Sequence, residues 1–106
     1  MITIYGLKSC DSCRKAAKVL PGAQFRDIRA EPLRADEIAE FLNAFGEKLI
    51  NRASATWRGF DTGLRQADPE VLLSDHPTVM KRPVIRFNGT LYLGWSPATR
   101  AALGAA

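Results

Sequence analysis

Residues 2–28 contain a strand, a helix and a second strand in immediate succession, and this order constrains the fold more than any other feature of the chain. Ile2-Thr3-Ile4-Tyr5 is short, β-branched and aromatic, and Gly6 ends it. Asp11 or Ser12 can cap a helix, and Arg14 to Leu20 is helix-forming, with Ala16 and Leu20 one turn apart. Pro21-Gly22 stops that helix. Gln24 to Ile28 reads as a second strand, anchored by Phe25 and Ile28. Strands joined across a helix pair in parallel, because a crossover and not a tight turn connects them.

The rest of the chain changes character twice. Arg34 to Phe45 carries Ile38, Phe41, Leu42 and Phe45 at helical spacing, and Gly46 ends it. Leu49 to Gly63 is less regular. Leu64 to Leu73 is expected to be helical, with Asp75, His76 and Pro77 breaking it. Pro83-Val84-Ile85-Arg86-Phe87 and Leu91-Tyr92-Leu93 are strands around Asn88-Gly89, a strong two-residue hairpin signal. Ser96 followed by Pro97 opens a last helix, expected to run to Leu103. The order is βαβ, then helices, then a ββ hairpin, then a helix.

At 106 residues the chain has length for one domain, residues 1–106, and not for two. Hydrophobic residues make up 46% of it, enough for a core. Its net charge of +4 fits an anionic small molecule, a nucleic acid or an acidic partner and chooses among none of them. No recognition-helix pattern or strongly basic stripe points to direct nucleic-acid binding. Met1 to Ser9 lacks the basic and apolar regions of a signal peptide, and no apolar run approaches the roughly 20 residues of a membrane span. The expectation is a cytoplasmic protein with no membrane contact.

Both cysteines lie at the strand–helix junction, as Cys10-Asp11-Ser12-Cys13. A sulfur at a helix start faces unbonded N–H groups and the positive end of the dipole, which lowers its pKa from about 8.5. A thiolate so made is a nucleophile for disulfide exchange or for attack on an oxyanion. Arg14 and Lys15 add positive charge in the first turn. Cys10 is the better nucleophile candidate, and Cys13 is within reach as a resolving thiol. Two other readings stand beside this one: two inert structural thiols, or half of a zinc site. The second lacks ligands, since zinc takes about four and the only histidine is His76. No metal is expected. His76 beside Pro77 suits a cap or packed turn better than an acid–base role. Trp57 and Trp95 suit packing at least as well as a substrate groove. Arg58, Arg65 and Lys81 read as solvated surface.

Four motifs in order resemble the arsenate reductase (ArsC) and Spx-like family, nearest its YffB-type reductase-like branch. Ile4 to Ala16 resembles the family's opening. Leu49-Ile50-Asn51-Arg52 with Thr56-Trp57-Arg58 resembles its middle motif. His76-Pro77 with Lys81-Arg82-Pro83-Val84 resembles its His-Pro and Arg-Pro motif, and Leu93-Gly94-Trp95-Ser96 its close. The resemblance implies an α/β, thioredoxin-like fold of βαβ, helical insertion and ββα, with a four-stranded mixed sheet. It implies Cys10 as nucleophile, with glutathione or glutaredoxin or Cys13 completing the reduction, and a cis peptide at Arg82-Pro83. It further implies that Arg52 and Arg82, beside Pro83, bind a small oxyanion or a glutathionylated substrate, and Arg14, from its place in the first turn, is expected to join them. No cofactor is expected beyond glutathione as co-substrate.

The chain departs from the arsenate reducers in three places. Gly94 or Trp95 stands where they carry a third arginine. Loss of a charged hydrogen bond is expected to weaken oxyanion binding by about 1.5–3 kcal/mol. The Cys10/Cys13 pair follows the Spx-type regulators, which implies an alternative function as a redox-sensing regulator that binds the RNA polymerase α-subunit. Pro21-Gly22 shortens the first helix.

Overall fold

The computed structural model describes residues 1–104, which fall into two compact units, one of residues 1–31 with 82–104 and one of residues 32–81. The first unit holds a four-stranded sheet in the order β2-β1-β3-β4, built from β1 (Ile2–Gly6), β2 (Gln24–Asp27), β3 (Val84–Phe87) and β4 (Thr90–Leu93). β1 pairs parallel with β2 and antiparallel with β3, and β3 pairs antiparallel with β4. The mixed sheet follows from the connections: a helix joins β1 to β2, and a two-residue turn joins β3 to β4. Asn88 and Gly89 take φ values of 48° and 87°, the paired positive angles of a type I′ hairpin.

Side-chain alternation decides the core. Ile4 and Ile85 face each other across β1 and β3, both fully buried. They pack with Ala16 of α1 (Asp11–Val19) and with Leu20, its C-cap residue, and Phe25, Tyr92, Trp95 and Leu103 are among the half-buried residues around them. Tyr5 and Val84, one residue along, are the next buried pair, and the Arg26 and Arg86 guanidiniums stand 5.8 and 5.9 Å from the Tyr5 ring centre.

The helix boundaries depart from the sequence expectation at informative points. α1 begins at Asp11 with Cys10 as its N-cap residue, so neither Asp11 nor Ser12 caps it. The Cys10 N–H donates to the Leu7 carbonyl at 3.0 Å, and this turn out of β1 fixes where the helix starts. The second strand stops at Asp27, though Ile28 is buried and its N–H donates to Gly6.

In the second unit the expected helix over Leu64–Leu73 is two. α2 (Ala35–Phe45), α3 (Ala55–Arg58), α4 (Thr62–Arg65) and α5 (Pro69–Asp75) succeed one another, with 3₁₀ turns at Gly46–Leu49 and Pro77–Val79. Pro69 lacks the N–H needed to continue α4, and the Asp68 carboxylate accepts the Glu70 N–H at 3.0 Å, restarting the chain as α5. Ile38, Phe41, Leu49, Leu72, Leu73, Val79 and Met80 are buried in this unit. The final helix, α6 (Pro97–Ala102), starts as expected, with the Ser96 hydroxyl accepting the Thr99 N–H. Among the described residues no helix is long and apolar enough to cross a membrane.

Candidate active site

The junction of β1 and α1 places two thiols in different environments. Cys10 is half-buried at the cap position. Cys13, in the first turn, is fully buried. The reason lies in β1: Gly6 has no side chain, and a Cβ there would overlap the Cys13 sulfur. Glycine at the strand end is therefore what lets the second cysteine sink against the sheet.

Burial pushes the Cys10 thiol up, but three donors more than offset it. The Cys13 backbone N–H, the Cys13 thiol and the Arg82 guanidinium all favour the charged form of the Cys10 sulfur, and the charge of Arg82 adds to them. The net result is a Cys10 pKa below the ordinary thiol value. Cys10 holds the N-cap position, usually filled by an oxygen-bearing side chain, without closing a side-chain cap hydrogen bond. Cys13 goes the other way. Burial is the largest influence, and the hydrogen bond to Cys10 and its negative charge add to it. Together they push Cys13 up to about 12 against the opposing effects of the Leu7 backbone hydrogen bond and Arg82.

Arg82 reaches the site from the start of β3, through a cis Arg82–Pro83 peptide as expected. Pro83 is buried, and its carbonyl accepts the Gly94 N–H at 2.7 Å, which ties the start of β3 to the turn after β4. Gly94 has φ 80°, a region that side-chain-bearing residues rarely enter. Trp95 packs on the core cluster. The stretch where arsenate reducers place a third arginine is therefore a glycine turn followed by a core indole.

The other expected site residues have different surroundings. Arg14 is exposed and turns toward Asp11, 3.9 Å away, while Lys15 pairs with the same carboxylate at 3.1 Å. Their charges are partly balanced by Asp11, and Arg82 is the guanidinium that meets the Cys10 sulfur. Arg52 belongs to the second unit, where it lies over the Trp57 ring at 5.5 Å. His76 closes α5, and its ring meets Phe60 edge-on at 4.9 Å, as a packed turn residue. Among the described residues no group of three metal-ligating side chains stands together. The sequence reading missed Gly6 as a site residue. Its position at the end of β1 was the signal, read only as a strand stop.

Comparison with known proteins identifies the family and the fold. The profile of the ArsC family matches residues 5–103. An arsenate reductase (ArsC) related protein from Brucella melitensis is 34% identical, over 95% of this chain and 92% of that one, with a TM-score of 0.74. A YffB protein is 26% identical over 96% of this chain and 97% of that one, with a TM-score of 0.87. The global transcriptional regulator Spx of Bacillus subtilis is 29% identical over 91% of this chain and 81% of its own length. The four-stranded mixed sheet is that of a thioredoxin-like fold, and the chain belongs to the ArsC family.

Proposed function

We propose that the chain is a cytoplasmic thiol reductase that takes glutathione from mixed disulfides, with Cys10 as its only nucleophile. The observation that carries this is the split between the two thiols: Cys10 is half-open and held below the ordinary pKa by Cys13 and Arg82, while Cys13 is buried and pushed up to about 12.

In the first step the Cys10 thiolate attacks the glutathione sulfur of a substrate disulfide. A Cys10–glutathione disulfide forms, and the substrate leaves as a thiolate. Arg82 and the helix start hold Cys10 ionised before attack and again when it departs. In the second step a glutathione thiolate attacks the mixed disulfide, releasing oxidised glutathione and restoring the Cys10 thiolate. Cys13 acts as a proton-bearing donor to the Cys10 sulfur. When Cys10 is disulfide-bonded its charge no longer raises Cys13, but burial, the largest influence, remains. An external thiol is therefore the favoured resolver. The glycine turn at Gly94 favours a disulfide substrate over arsenate, since no guanidinium stands in that stretch.

Mass spectrometry after exposure to oxidised glutathione tests this. The expected product is a single glutathione adduct on Cys10, absent in Cys10→Ser and retained in Cys13→Ser. An internal Cys10–Cys13 disulfide as the main product would overturn the single-nucleophile cycle.

The hydrogen-bonded thiol pair, with the Spx relative, supports a second reading: a redox-sensing regulator that binds the α-subunit of RNA polymerase. A pull-down with the C-terminal domain of that α-subunit, with and without oxidant, examines it. Absence of a complex in both states removes it.

A further inference from the structure

Trp57 in the second unit has two guanidiniums on its ring, Arg52 at 5.5 Å and Arg65 at 5.9 Å. Arg65 is also tied by a hydrogen bond from its Nη2 to the Arg58 carbonyl at 3.3 Å. Among the described residues no carboxylate forms an ion pair with either of them. Stacking uses the face of a guanidinium and leaves its in-plane N–H groups for an acceptor. Two arginines held over one indole without a carboxylate between them therefore present a set of donors at little ordering cost.

These three side chains line a concavity of about 160 Å³, together with Glu47, Ile50 and Leu72 among others. The volume is small beside the roughly 300–1,000 Å³ of sites for whole drug-sized ligands, so it suits an end-group. Its lining carries two positive charges and one negative charge, with an apolar floor. A simple oxyanion would use only the arginines and would meet the Glu47 charge unfavourably. A group bearing a carboxylate and an ammonium on one carbon would use all three.

We infer that this concavity is a recognition site for a free α-amino-acid head group, of the kind that ends a γ-glutamyl peptide. Arg52 and Arg65 hold the α-carboxylate, Glu47 the α-ammonium, and Trp57 covers the methylene chain. The inference stands on the lining residues of this one unit and does not require the ligand to reach Cys10. Its new content is the part given to Arg65, Trp57 and Glu47, which the Cys10 chemistry does not use.

The test follows the indole N–H cross-peak of Trp57, assigned by its loss in Trp57→Phe, during titration with S-methylglutathione, which binds but cannot exchange. A saturable shift is expected in the wild type. The dissociation constant should rise at least tenfold in Arg65→Gln, whose exposed side chain leaves the fold intact by circular dichroism. S-methylcysteinylglycine, which lacks the γ-glutamyl group, should bind at least tenfold more weakly than S-methylglutathione. Equal affinity in wild type and Arg65→Gln, equal affinity for the two ligands, or no saturable shift would each overturn the inference. Adduct formation at Cys10 with oxidised glutathione, measured on the same proteins, reports separately on the reductase reading. It survives if the adduct forms while the titration fails.

Discussion

Cys10 and Cys13 carry the same side chain three positions apart, yet the fold drives their acidities in opposite directions. Burial raises both. Only Cys10 gains enough donors to reverse the effect, and one of them is Cys13 itself. Removing Arg82 as Arg82→Gln takes away a hydrogen bond and a charge from the thiolate. The pH midpoint of Cys10 alkylation by iodoacetamide should move upward, and the rate at pH 7 should fall several-fold, as expected for loss of a charge-assisted bond. An unchanged midpoint would remove Arg82 from the site. At this scale the sequence was partly legible. Cys10, Cys13 and Arg82 could be named from motif order. Arg14 could not be placed, because the nearby Asp11 carboxylate draws its charge along the helix surface. Arg65 was read as solvated surface because an arginine near a helix start carries no signal of its own, and only folding brings it to Trp57.

Among the elements, β1 and α1 are coupled through one absent methyl group. Gly6→Ala would drive a Cβ into the Cys13 sulfur, and the backbone of β1 is held on both sides by β2 and β3. Overpacking of this kind costs about 1–3 kcal/mol. Urea unfolding should show that loss in Gly6→Ala, and most of it should return in the double variant Gly6→Ala/Cys13→Ala, where the sulfur is gone. Additive losses in the double variant would mean the contact is not the cause. The strands and the hairpin were legible because β-branched runs and Asn88-Gly89 are local signals that packing did not override. The start of α1 was not. Asp11 and Ser12 are both good cap residues by type, but the turn from Leu7 to Cys10 sets the first helical residue one step earlier. The break between α4 and α5 was written in Asp68-Pro69, a cap followed by a residue favoured at a helix's first position, and lay hidden inside an apolar periodicity that spans it.

For the whole molecule, the two thiols bend the stability–pH curve at opposite ends. Cys13 has a raised folded pKa of about 12, so its contribution is complete below the ordinary value of about 8.5 and is lost as pH rises toward 12. Cys10 has a lowered folded pKa, so its contribution is present above about 8.5 and is lost as pH falls through its folded value. Urea unfolding between pH 8.5 and 11 should therefore show a steeper alkaline decline in the wild type than in Cys13→Ala, even though the variant starts lower because of its cavity. Parallel curves would mean that Cys13 ionises as freely folded as unfolded. The family and the fold class were legible in the whole chain, since four motifs in order carry them. The division into two compact units was not, because no linker or change of composition marks residues 32 and 81.

The burial of the Cys13 sulfur against Gly6 has a consequence for oxidative damage. Among the cysteines, a peroxide meeting this protein finds one accessible thiol, at Cys10, and converts it to a sulfenic acid. With its neighbour shut away and protonated, no internal bond forms quickly to shield that acid from further oxidation. Survival then depends on how fast the host's small thiols arrive, so the fraction of Cys10 lost to sulfinic acid should track depletion of that pool.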